Sequence, residues 1–269
     1  PAVTAANFQR DTASNSVESL QVAVALAPWR GVDVPRIQGG DEFKREIEHA
    51  FARTEDDLLA LARKRGFKDG TTAACLWAFG DTLYAANAGD SRIVLCRGGR
   101  AIPLTRDHKP GDEEERKRIL EAGGEVRPVM KRRPAFCCFK SKIVPQGADR
   151  LWPGGFSVSR ALGNIYYKDL RRGKVKVVGT LIARPDVSVL SLTRDDHFLI
   201  LGTDGLWDVM TNQEACDYVI KSTKTKDFDP DELAEQMVNR ACQLGSDDNI
   251  SCVIVFFTHH REWALDQHC

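Results

Sequence analysis

Apolar residues recur at near-helical spacing in one long stretch of the chain, "GDEFKREIEHAFARTEDDLLALARKRG" at residues 40–66. With Asp41 as an N-cap and Gly66 as a stop, this stretch predicts one long amphipathic helix. Residues 3–27 are rich in alanine and valine, and we expect them to be helical for part of their length, before a loop with proline and glycine at 28–40. The apolar positions of the long helix are Phe43, Ile47, Phe51, Leu58, Leu59 and Leu61.

Short runs of strand-forming residues follow from residue 71 onward. "TTAACLWAF", "TLYAANA" and "SRIVLCR" are separated by Gly-Asp pairs, which favours a meander of hairpins. Three later runs, "PDVSVLSL", "HFLILGT" and "ISCVIVFF", also predict strands. In the first of these, the alternation places Val187 and Val189 on the inner face, together with Leu190 or Leu192.

Three further helices are predicted among these strands. The charged stretch "GDEEERKRILEAGG" ends on a glycine pair, which is a natural helix stop. "TNQEACDYVIKS" opens with a capping-box pattern from Thr211 to Glu214. "DPDELAEQMVNRACQLG" has Asp229 as its expected N-cap and Pro230 in its first turn. Residues 127–155 show no clear periodicity and contain four prolines, so we expect a long loop there.

The order of these elements predicts the fold class. Strands come in antiparallel groups, helices stand in separate blocks, and there is little β-α-β alternation. This pattern is typical of an α+β protein, and we expect a central antiparallel β-sandwich of two sheets, flanked by helices on both faces. Because no repeat or linker divides the chain, residues 1–258 are predicted to form one domain, with residues 259–269 as a tail.

Composition narrows the class of protein. The chain has 269 residues, 42% of them hydrophobic, which is enough for a sizeable core. Lysine plus arginine and aspartate plus glutamate both number 38, so no excess charge favours nucleic acid as a partner. No apolar run approaches the roughly 18 residues that span a bilayer. The eight cysteines include no C-x-x-C pair, which favours reduced thiols in an intracellular protein of the cytoplasm or nucleus.

Acidic residues stand at the ends of three strand-like runs. "NAGDSR" contains Asp90, "GTDGLWD" contains Asp204 and Asp208, and "GSDDNIS" contains Asp247 and Asp248. If the folded sheets bring these ends together, the carboxylates need a cation to stay ionised, and oxygen ligands favour Mg²⁺ or Mn²⁺. Taken alone, each aspartate is more commonly a turn residue, and Asp208 is equally suited to capping a helix.

Six short motifs stand in order along the chain: "DGTTAACLW", "AANAGDSRIVLCRGG", "LTRDHKPGDEEERKRILEAGGEV", "SVSRALGN", "LGTDGLWDVMTNQEACDYV" and "GSDDNISCVIV". In this order they resemble the metal-dependent type 2C serine/threonine protein phosphatase family, from about residue 41 to residue 257. Six ordered motifs are far more specific than any single Asp-Gly pair.

The resemblance implies a fold, an activity and a set of site residues. The family fold is a sandwich of two antiparallel sheets flanked by helices, and its activity is hydrolysis of phosphoserine and phosphothreonine in proteins with Mg²⁺ or Mn²⁺. Asp204 and Asp248 are the expected ligands of a paired metal site, and Asp90, Asp204 and Asp208 the expected group around a third, weaker metal. In the family's mechanism a water between two metals attacks phosphorus, so no covalent nucleophile is needed. We expect a monomer whose partners are phosphorylated proteins.

The sequence departs from the family in its first metal-binding region. The upstream acidic residue, the phosphate-binding arginine and the D-G-H-G-G motif are not found, and Asp69-Gly70 is followed by Thr71. "PAVTAANFQR" resembles the beginning of the helix after that motif, so we expect the chain to begin just past a missing half-site. Either a truncated enzyme or a scaffold that has lost catalysis fits this pattern, and the absent initial methionine favours truncation. In "SRALGN", Asn164 replaces the family's aspartate, which a turn residue explains.

Three functions stay open on these residues. The first is a metal-dependent phosphatase that lacks its N-terminal segment. The second is a catalytically inactive interaction module in a signalling complex, and the third is a metal sensor that uses Asp90, Asp204 and Asp208. The basic stretch "KRRPAFCCFKSK" either faces phosphorylated substrates or is a solvated charge run. His108, in "TRDHKP", is assigned to a structured connection and not to acid–base chemistry.

Overall fold

A computed structural model describes residues 2–8, 23–24, 40–133, 142–168, 171–172, 175–176, 179–225 and 228–257. These residues form six helices: α1 (Gly40–Arg65), α2 (Glu113–Glu121), α3 (Ile165–Lys168), α4 (Asp204–Trp207), α5 (Asn212–Ser222) and α6 (Leu233–Gln243). The strands are β1 (Ala2–Phe8), β2 (Ala23–Val24), β3 (Gly70–Thr71), β4 (Ala73–Phe79), β5 (Thr82–Ala88), β6 (Arg92–Arg97), β7 (Arg100–Pro103), β8 (Glu125–Arg133), β9 (Lys142–Trp152), β10 (Leu162–Gly163), β11 (Arg171–Arg172), β12 (Val175–Lys176), β13 (Asp186–Ser191), β14 (Asp196–Gly202) and β15 (Ile250–Phe256). The predicted tail, 259–269, lies outside the described residues.

Two sheets form the centre of the fold. A five-stranded sheet has the order β1-β15-β14-β6-β7 and is antiparallel throughout. A four-stranded sheet has the order β13-β5-β4-β2 and is antiparallel except for the short β2–β4 pair. Outside these sheets, β3 pairs with β10, β11 with β12, and β8 with β9. The predicted α+β class with an antiparallel sandwich is confirmed.

The sandwich is buried on both outer faces as well as between its sheets. Strand β14 shows this best, because all seven of its residues are buried. Leu199 and Leu201 pack between the sheets, whereas Phe198 and Ile200 pack on the other side with residues of α5 and α6. A strand buried on both faces reads as one continuous apolar run, which is why the run at 197–203 predicted this strand to within one residue at each end.

Helix α1 covers the outer face of the four-stranded sheet, as the predicted long helix should. Ile47 and Phe51 are buried against this sheet. The Phe43 ring meets Tyr84 edge-on at a centroid distance of 4.7 Å. Leu61 is exposed and Ala62 is buried in its place, so the apolar stripe shifts by one residue near the end of the helix. Within the part of the chain that the structure describes, no helix combines the length and apolarity that a membrane crossing requires.

The helix expected within residues 3–27 is wrong where the structure describes it. Ala2–Phe8 is an edge strand that pairs along its whole length with β15, and Ala23–Val24 pairs with β4. Alanine favours helices only weakly, by less than about 1 kcal/mol per residue, so a neighbouring strand that offers a full ladder of backbone hydrogen bonds overrides it. The expected loop at 28–39 lies outside the described residues.

The predicted meander is two hairpins in different sheets. β4 and β5 pair in one sheet and β6 and β7 in the other, so the chain changes sheets between β5 and β6. Gly89 makes this crossing at φ +123°, and a Cβ there would lie 2.3 Å from the Thr72 methyl group. The Asn87 side chain donates hydrogen bonds to the carbonyls of Gly89 and Arg106. The second Gly-Asp pair is therefore a crossover that fixes the position of Asp90.

The long loop expected at 127–155 is wrong over most of its length. β8 and β9 form an antiparallel ribbon, with a register shift between Pro128 and Val129. The outer part of the ribbon is exposed on both faces, so burial imposes no alternation that a sequence pattern could reveal. Residues 134–141, which include Cys137 and Cys138, lie outside the described residues.

Three smaller features show which predictions rest on local sequence and which depend on tertiary structure. The capping box at the start of α5 is confirmed, with Thr211 and Glu214 each bonding the other's backbone N–H. Helix α6 begins at Leu233, later than predicted, because the Asp229 carboxylate accepts the N–H of Asp231 in a turn before the helix. Val189 is exposed and not inward, since β13 is the edge strand of its sheet.

A buried ionic cluster ties α2 to the segments beside it. Glu115 is 1% exposed and accepts two hydrogen bonds from the guanidinium of Arg160, at 2.6 and 3.0 Å. Its other oxygen accepts from Ser159 and from Arg118. Burial alone would raise the pKa of Glu115, but these hydrogen bonds outweigh it and lower the pKa to about 2. Arg160 also bonds Asp186 at the start of β13.

We predict that Glu115→Gln lowers the free energy of unfolding by about 3 kcal/mol, because it removes the more buried of the two carboxylates that pair with the buried Arg160 guanidinium. Glu113→Gln, in the exposed first turn of the same helix, is the control and should change it by less than about 0.5 kcal/mol. Urea denaturation at neutral pH measures both. The contribution of Glu115 is complete above its ordinary pKa of 4.5 and is lost as the pH falls towards 2. Equal unfolding midpoints for the two variants would contradict this account.

Candidate functional site

Three strand ends meet at one end of the five-stranded sheet. Gly202, the last residue of β14, is in register with Cys252 on β15 and with Arg92 on β6. Asp90, Asp204 and Asp248 each lie within a few residues of these positions, and all three line a single pocket. The condition on which the metal hypothesis depended, that the acidic strand ends meet, is therefore fulfilled by these three aspartates. The other lining residues are Gly70, Thr71, Thr72, Phe156, Val158, Ala161, Asn164 and Asn249.

The connection after β14 holds Asp204 against the loop that contains Asp248. The Thr203 hydroxyl donates to the Asn249 carbonyl at 3.1 Å and accepts the N–H of Ser251 at 3.3 Å. A Cβ on Gly205 would lie 2.5 Å from the Asn249 carbonyl oxygen, so only glycine permits this close approach. The two carboxylates are thus presented by backbone segments that are locked together.

Asp90 is held from the opposite side and is buried, with 3% exposure. Its carboxylate forms an ion pair with the ammonium group of Lys109. The preceding residue, Gly89, donates its N–H to Nδ1 of His108 at 3.1 Å. Nε2 of His108 therefore carries the proton and donates to Asp186 at 3.1 Å. The structural role assigned to His108 agrees with these bonds.

Electrostatic crowding is strongest at Asp204. Burial raises the pKa of its carboxyl, the negative charges of Asp90 and Asp248 raise it further, and the positive charge of Lys109 offsets only part of this, leaving the pKa at about 7. Burial lowers the pKa of Lys109, but the charge of Asp90 and the hydrogen bond to it dominate and raise the pKa above its ordinary value. At neutral pH the carboxylates of Asp90, Asp204 and Asp248 thus carry more negative charge than the ammonium group of Lys109 balances.

Asp208 does not join the other three aspartates in lining the pocket. It is the C-cap residue of the short helix α4 and is exposed, and the capping hydrogen bonds there come from its backbone N–H and not from its carboxylate. Its negative charge contributes the smallest of the effects that raise the pKa of Asp204. A role for Asp208 beside a third metal stays a prediction.

The donor chemistry of the pocket fits a hard divalent cation. Its charged and amide side chains offer oxygen from Asp204, Asp248 and Asn249 and no thiol or imidazole, which is the ligand type that Mg²⁺ and Mn²⁺ prefer. Among the residues that the structure describes, however, no three acidic, histidine or cysteine side chains converge closely enough to hold a metal on their own. Asp204 and Asp248 can therefore supply part of a coordination shell.

Two features of the site could not be predicted from the sequence. Lys109 belongs to the stretch "TRDHKP", which indicates a structured connection, and its ion pair with Asp90 depends on the path of that loop. Phe156 and Val158 form an apolar wall, and Phe156 stacks edge-on against Tyr167 at 4.4 Å. The turn interpretation of Asn164 agrees with its φ of +54°, a conformation that asparagine tolerates better than most residues.

Comparisons with known proteins agree with this geometry. The model of the protein phosphatase 2C family matches residues 13–250, so the match begins upstream of the motifs noted above. "Probable protein phosphatase 2C 59" from Arabidopsis thaliana is 35% identical over 217 residues, which cover 78% of this chain and 57% of that protein. "Probable protein phosphatase 2C 22" from the same plant is 34% identical over 216 residues, covering 80% and 50%. The chain thus spans about half the length of these relatives.

Solved structures share the fold. A C. elegans sex determining protein superimposes with a TM-score of 0.66 at 24% identity, covering 87% of this chain and 50% of that one. A serine-threonine phosphatase 2C from Toxoplasma gondii gives a TM-score of 0.61 at 22% identity, covering 85% and 72%. At these identities the likeness concerns the fold alone. The family match over most of the sequence carries the assignment, and the chain belongs to the protein phosphatase 2C family.

Proposed function

We propose that this protein hydrolyses phosphoserine and phosphothreonine in other proteins with the help of Mg²⁺ or Mn²⁺ held at Asp204 and Asp248. The observation that carries the proposal is the crowding of Asp90, Asp204 and Asp248 around one pocket. A carboxyl whose pKa is raised to about 7 by its neighbours gains most from a divalent cation, which favours the ionised form of every carboxylate near it. Family membership supplies the reaction class.

The residues of the pocket would have different roles in the reaction. A bound divalent cation lowers the pKa of a water molecule and neutralises charge on phosphate oxygens. Asp204 and Asp248 would hold it, with the Thr203 contacts to Asn249 and Ser251 keeping the two carboxylates in place. Phe156 and Val158 would limit the access of bulk water from one side, which strengthens electrostatic interactions inside the pocket. We propose two cations, and a third near Asp90 and Asp208.

The remaining ligands would come from outside the described residues or from water. Residues 13–39 fall within the family match and mostly outside the described part of the chain. The sequence there contains no D-G-H-G-G, so any protein ligand in it must differ from the family's motif.

The substrates that we propose are phosphorylated proteins inside the cell. This proposal rests on the reaction class and on the free thiols of those cysteines that the structure describes. Cys96, Cys216 and Cys252 are free thiols in the buried core, where they act as small apolar side chains. We place the protein in the cytoplasm or nucleus on this basis.

One observation favours a second function. The ammonium group of Lys109 already pairs with Asp90, so part of the acidic cluster is neutralised by a residue of the chain itself. A protein that kept this pair and lost metal binding would retain the fold and serve as a phosphoprotein-binding scaffold. Measurements of hydrolysis and of metal binding on the same preparation distinguish the two functions.

Replacing Asp204 with asparagine tests the proposed activity. We predict that Asp204→Asn lowers Mn²⁺-dependent hydrolysis of a phosphothreonine peptide by about a hundredfold, equivalent to about 2.7 kcal/mol of transition-state stabilisation. Asp81→Asn, in the exposed turn between β4 and β5, is the matched control and should keep full activity. If the natural chain neither hydrolyses the peptide nor binds Mn²⁺, the scaffold function replaces the phosphatase.

The raised pKa of Asp204 predicts how metal binding depends on pH. Below about pH 7 the carboxyl holds a proton in the metal-free protein, and a cation must displace it. The apparent Mn²⁺ affinity should therefore fall by up to about tenfold per unit as the pH drops below 7, and level off above it. The electron paramagnetic resonance signal of free aqueous Mn²⁺ measures this without any turnover. An affinity that stays constant between about pH 6 and about pH 8 would show that no such proton competes.

A further inference from the structure

The ion pair between Lys109 and Asp90 joins a partly exposed ammonium group to a buried carboxylate. The side chain of Asp90 is 4% exposed, whereas that of Lys109 is 36% exposed. A carboxylate buried this deeply needs a positive partner to stay ionised. Because only one member of the pair reaches the solvent, the ammonium group can exchange its partner for water while the carboxylate stays inside the protein.

The backbone on both sides of Lys109 is fixed. His108, the residue before it, is fully buried and donates its N–H to the Gly89 carbonyl at 2.9 Å. Pro110, the residue after it, is buried as well. The carbonyl of Lys109 accepts the N–H of Asp112 at 3.1 Å. Movement is therefore confined to the side chain of Lys109, whose unbranched stem is flexible.

The charge of Lys109 acts on more than its direct partner. Burial and the charge of Asp90 raise the pKa of Asp204, and the positive charge of Lys109 lowers it again in part. Burial lowers the pKa of Lys109, and the charge of Asp204 is among those that raise it, after that of Asp90. We call Asp90, Asp204 and Asp248, which line one pocket, the acidic cluster. A positive charge beside this cluster repels a divalent cation and so weakens its binding.

A second cation near Asp90 is held in place by other partners. Arg92 interacts electrostatically with Asp90, but its guanidinium donates two hydrogen bonds to the Asp107 carboxylate, at 2.8 and 2.9 Å. A third goes to the side chain of Asn212 at 2.7 Å. Among the described residues, Lys109 has Asp90 as its one recorded ion-pair partner. Arg92 therefore contributes a constant charge, and Lys109 is the cation that can move.

We propose that the ammonium group of Lys109 competes with a divalent cation for the acidic cluster, and that it must leave Asp90 before the cation binds at full strength. The chain thus carries its own counterion for these carboxylates and sets the metal concentration above which the site fills. A divalent cation carries twice the charge of an ammonium group, so it displaces that group once its concentration is high enough. This inference rests on the proposed function, because it concerns the regulation of the metal site in the proposed phosphatase.

Removing the charge of Lys109 tests the competition. Lys109→Met removes the ammonium group and keeps an unbranched side chain, whereas Lys109→Arg keeps the charge. Lys117→Met removes an equal charge from an exposed position on α2 and is the matched control. Electron paramagnetic resonance of free Mn²⁺ measures the affinity of each protein, at a pH above the raised pKa of Asp204. The melting temperature of each protein is recorded with and without Mn²⁺.

We expect Lys109→Met to bind Mn²⁺ about tenfold more tightly than the natural chain, because one repelling charge is gone. Lys109→Arg should bind it no more tightly than the natural chain, and Lys117→Met within about twofold of it. Without metal, Lys109→Met should melt at a lower temperature, since buried Asp90 loses its partner, and Mn²⁺ should raise that temperature more than in the natural chain. If Lys109→Met binds Mn²⁺ no more tightly than the natural chain, the proposal is overturned and the lysine serves only to hold Asp90 in place.

A second measurement uses the natural chain and does not depend on whether Lys109→Met folds. The nuclear magnetic resonance signal of the Lys109 ammonium group is identified by its loss in Lys109→Arg. We expect its hydrogens to exchange faster with water when Mg²⁺ binds, and unchanged exchange at saturating Mg²⁺ also overturns the proposal. If the natural chain binds no metal and Lys109→Met does, the competition is supported and the phosphatase function of the natural chain is not. Absence of binding by both proteins contradicts the competition and the metal site alike.

Discussion

Repulsion between carboxylates at one end of the sandwich is the physical constraint on which the geometry of the site depends. The register of β6, β14 and β15 brings Asp90, Asp204 and Asp248 to one pocket. Holding these negative charges close together is electrostatically unfavourable. Lys109 neutralises one of them through its ion pair with Asp90. The remaining imbalance raises the pKa of Asp204 to about 7. Asp204 stands at the start of α4 and lines the pocket, where a bound cation would relieve this imbalance.

The pocket also depends on a second electrostatic system behind it. Glu115 gathers Arg160, Arg118 and Ser159 around one buried carboxylate, and Arg160 continues to Asp186, which accepts from His108. The backbone of His108 and its ring in turn hold Gly89, next to Asp90. Through this series of hydrogen bonds, α2 and β13 are connected to the crossover at Gly89, which precedes Asp90 in the pocket. The same ionic groups therefore contribute to the stability of the fold and to the geometry of the site.

The sequence predicted those elements whose pattern of residues is sufficient on its own, without knowledge of distant segments. The long helix α1, the capping box at Thr211 and the fully buried strand β14 were predicted because periodicity, side-chain capping and continuous apolarity leave few alternatives. The errors occurred where pairing with distant segments decides. Strand β1 depends on β15, and Val189 lies on an edge strand. The β8–β9 ribbon has no buried face over its outer part, so its sequence lacks the alternation of apolar and polar residues that predicts a strand.

The site was predictable to a similar extent. Acidic residues at strand ends suggested a shared cleft on the condition that those ends meet, and the register of β6, β14 and β15 brings Asp90, Asp204 and Asp248 together. That Lys109 would pair with Asp90 was not predictable, since it depends on the path of a loop. If Asp204 and Asp248 hold a divalent cation, anomalous diffraction from crystals grown with Mn²⁺ will locate it between them. We expect an anomalous peak within coordination distance of both carboxylates, about 2.0–2.3 Å. An empty pocket at saturating Mn²⁺, with Lys109 still paired to Asp90, would contradict it.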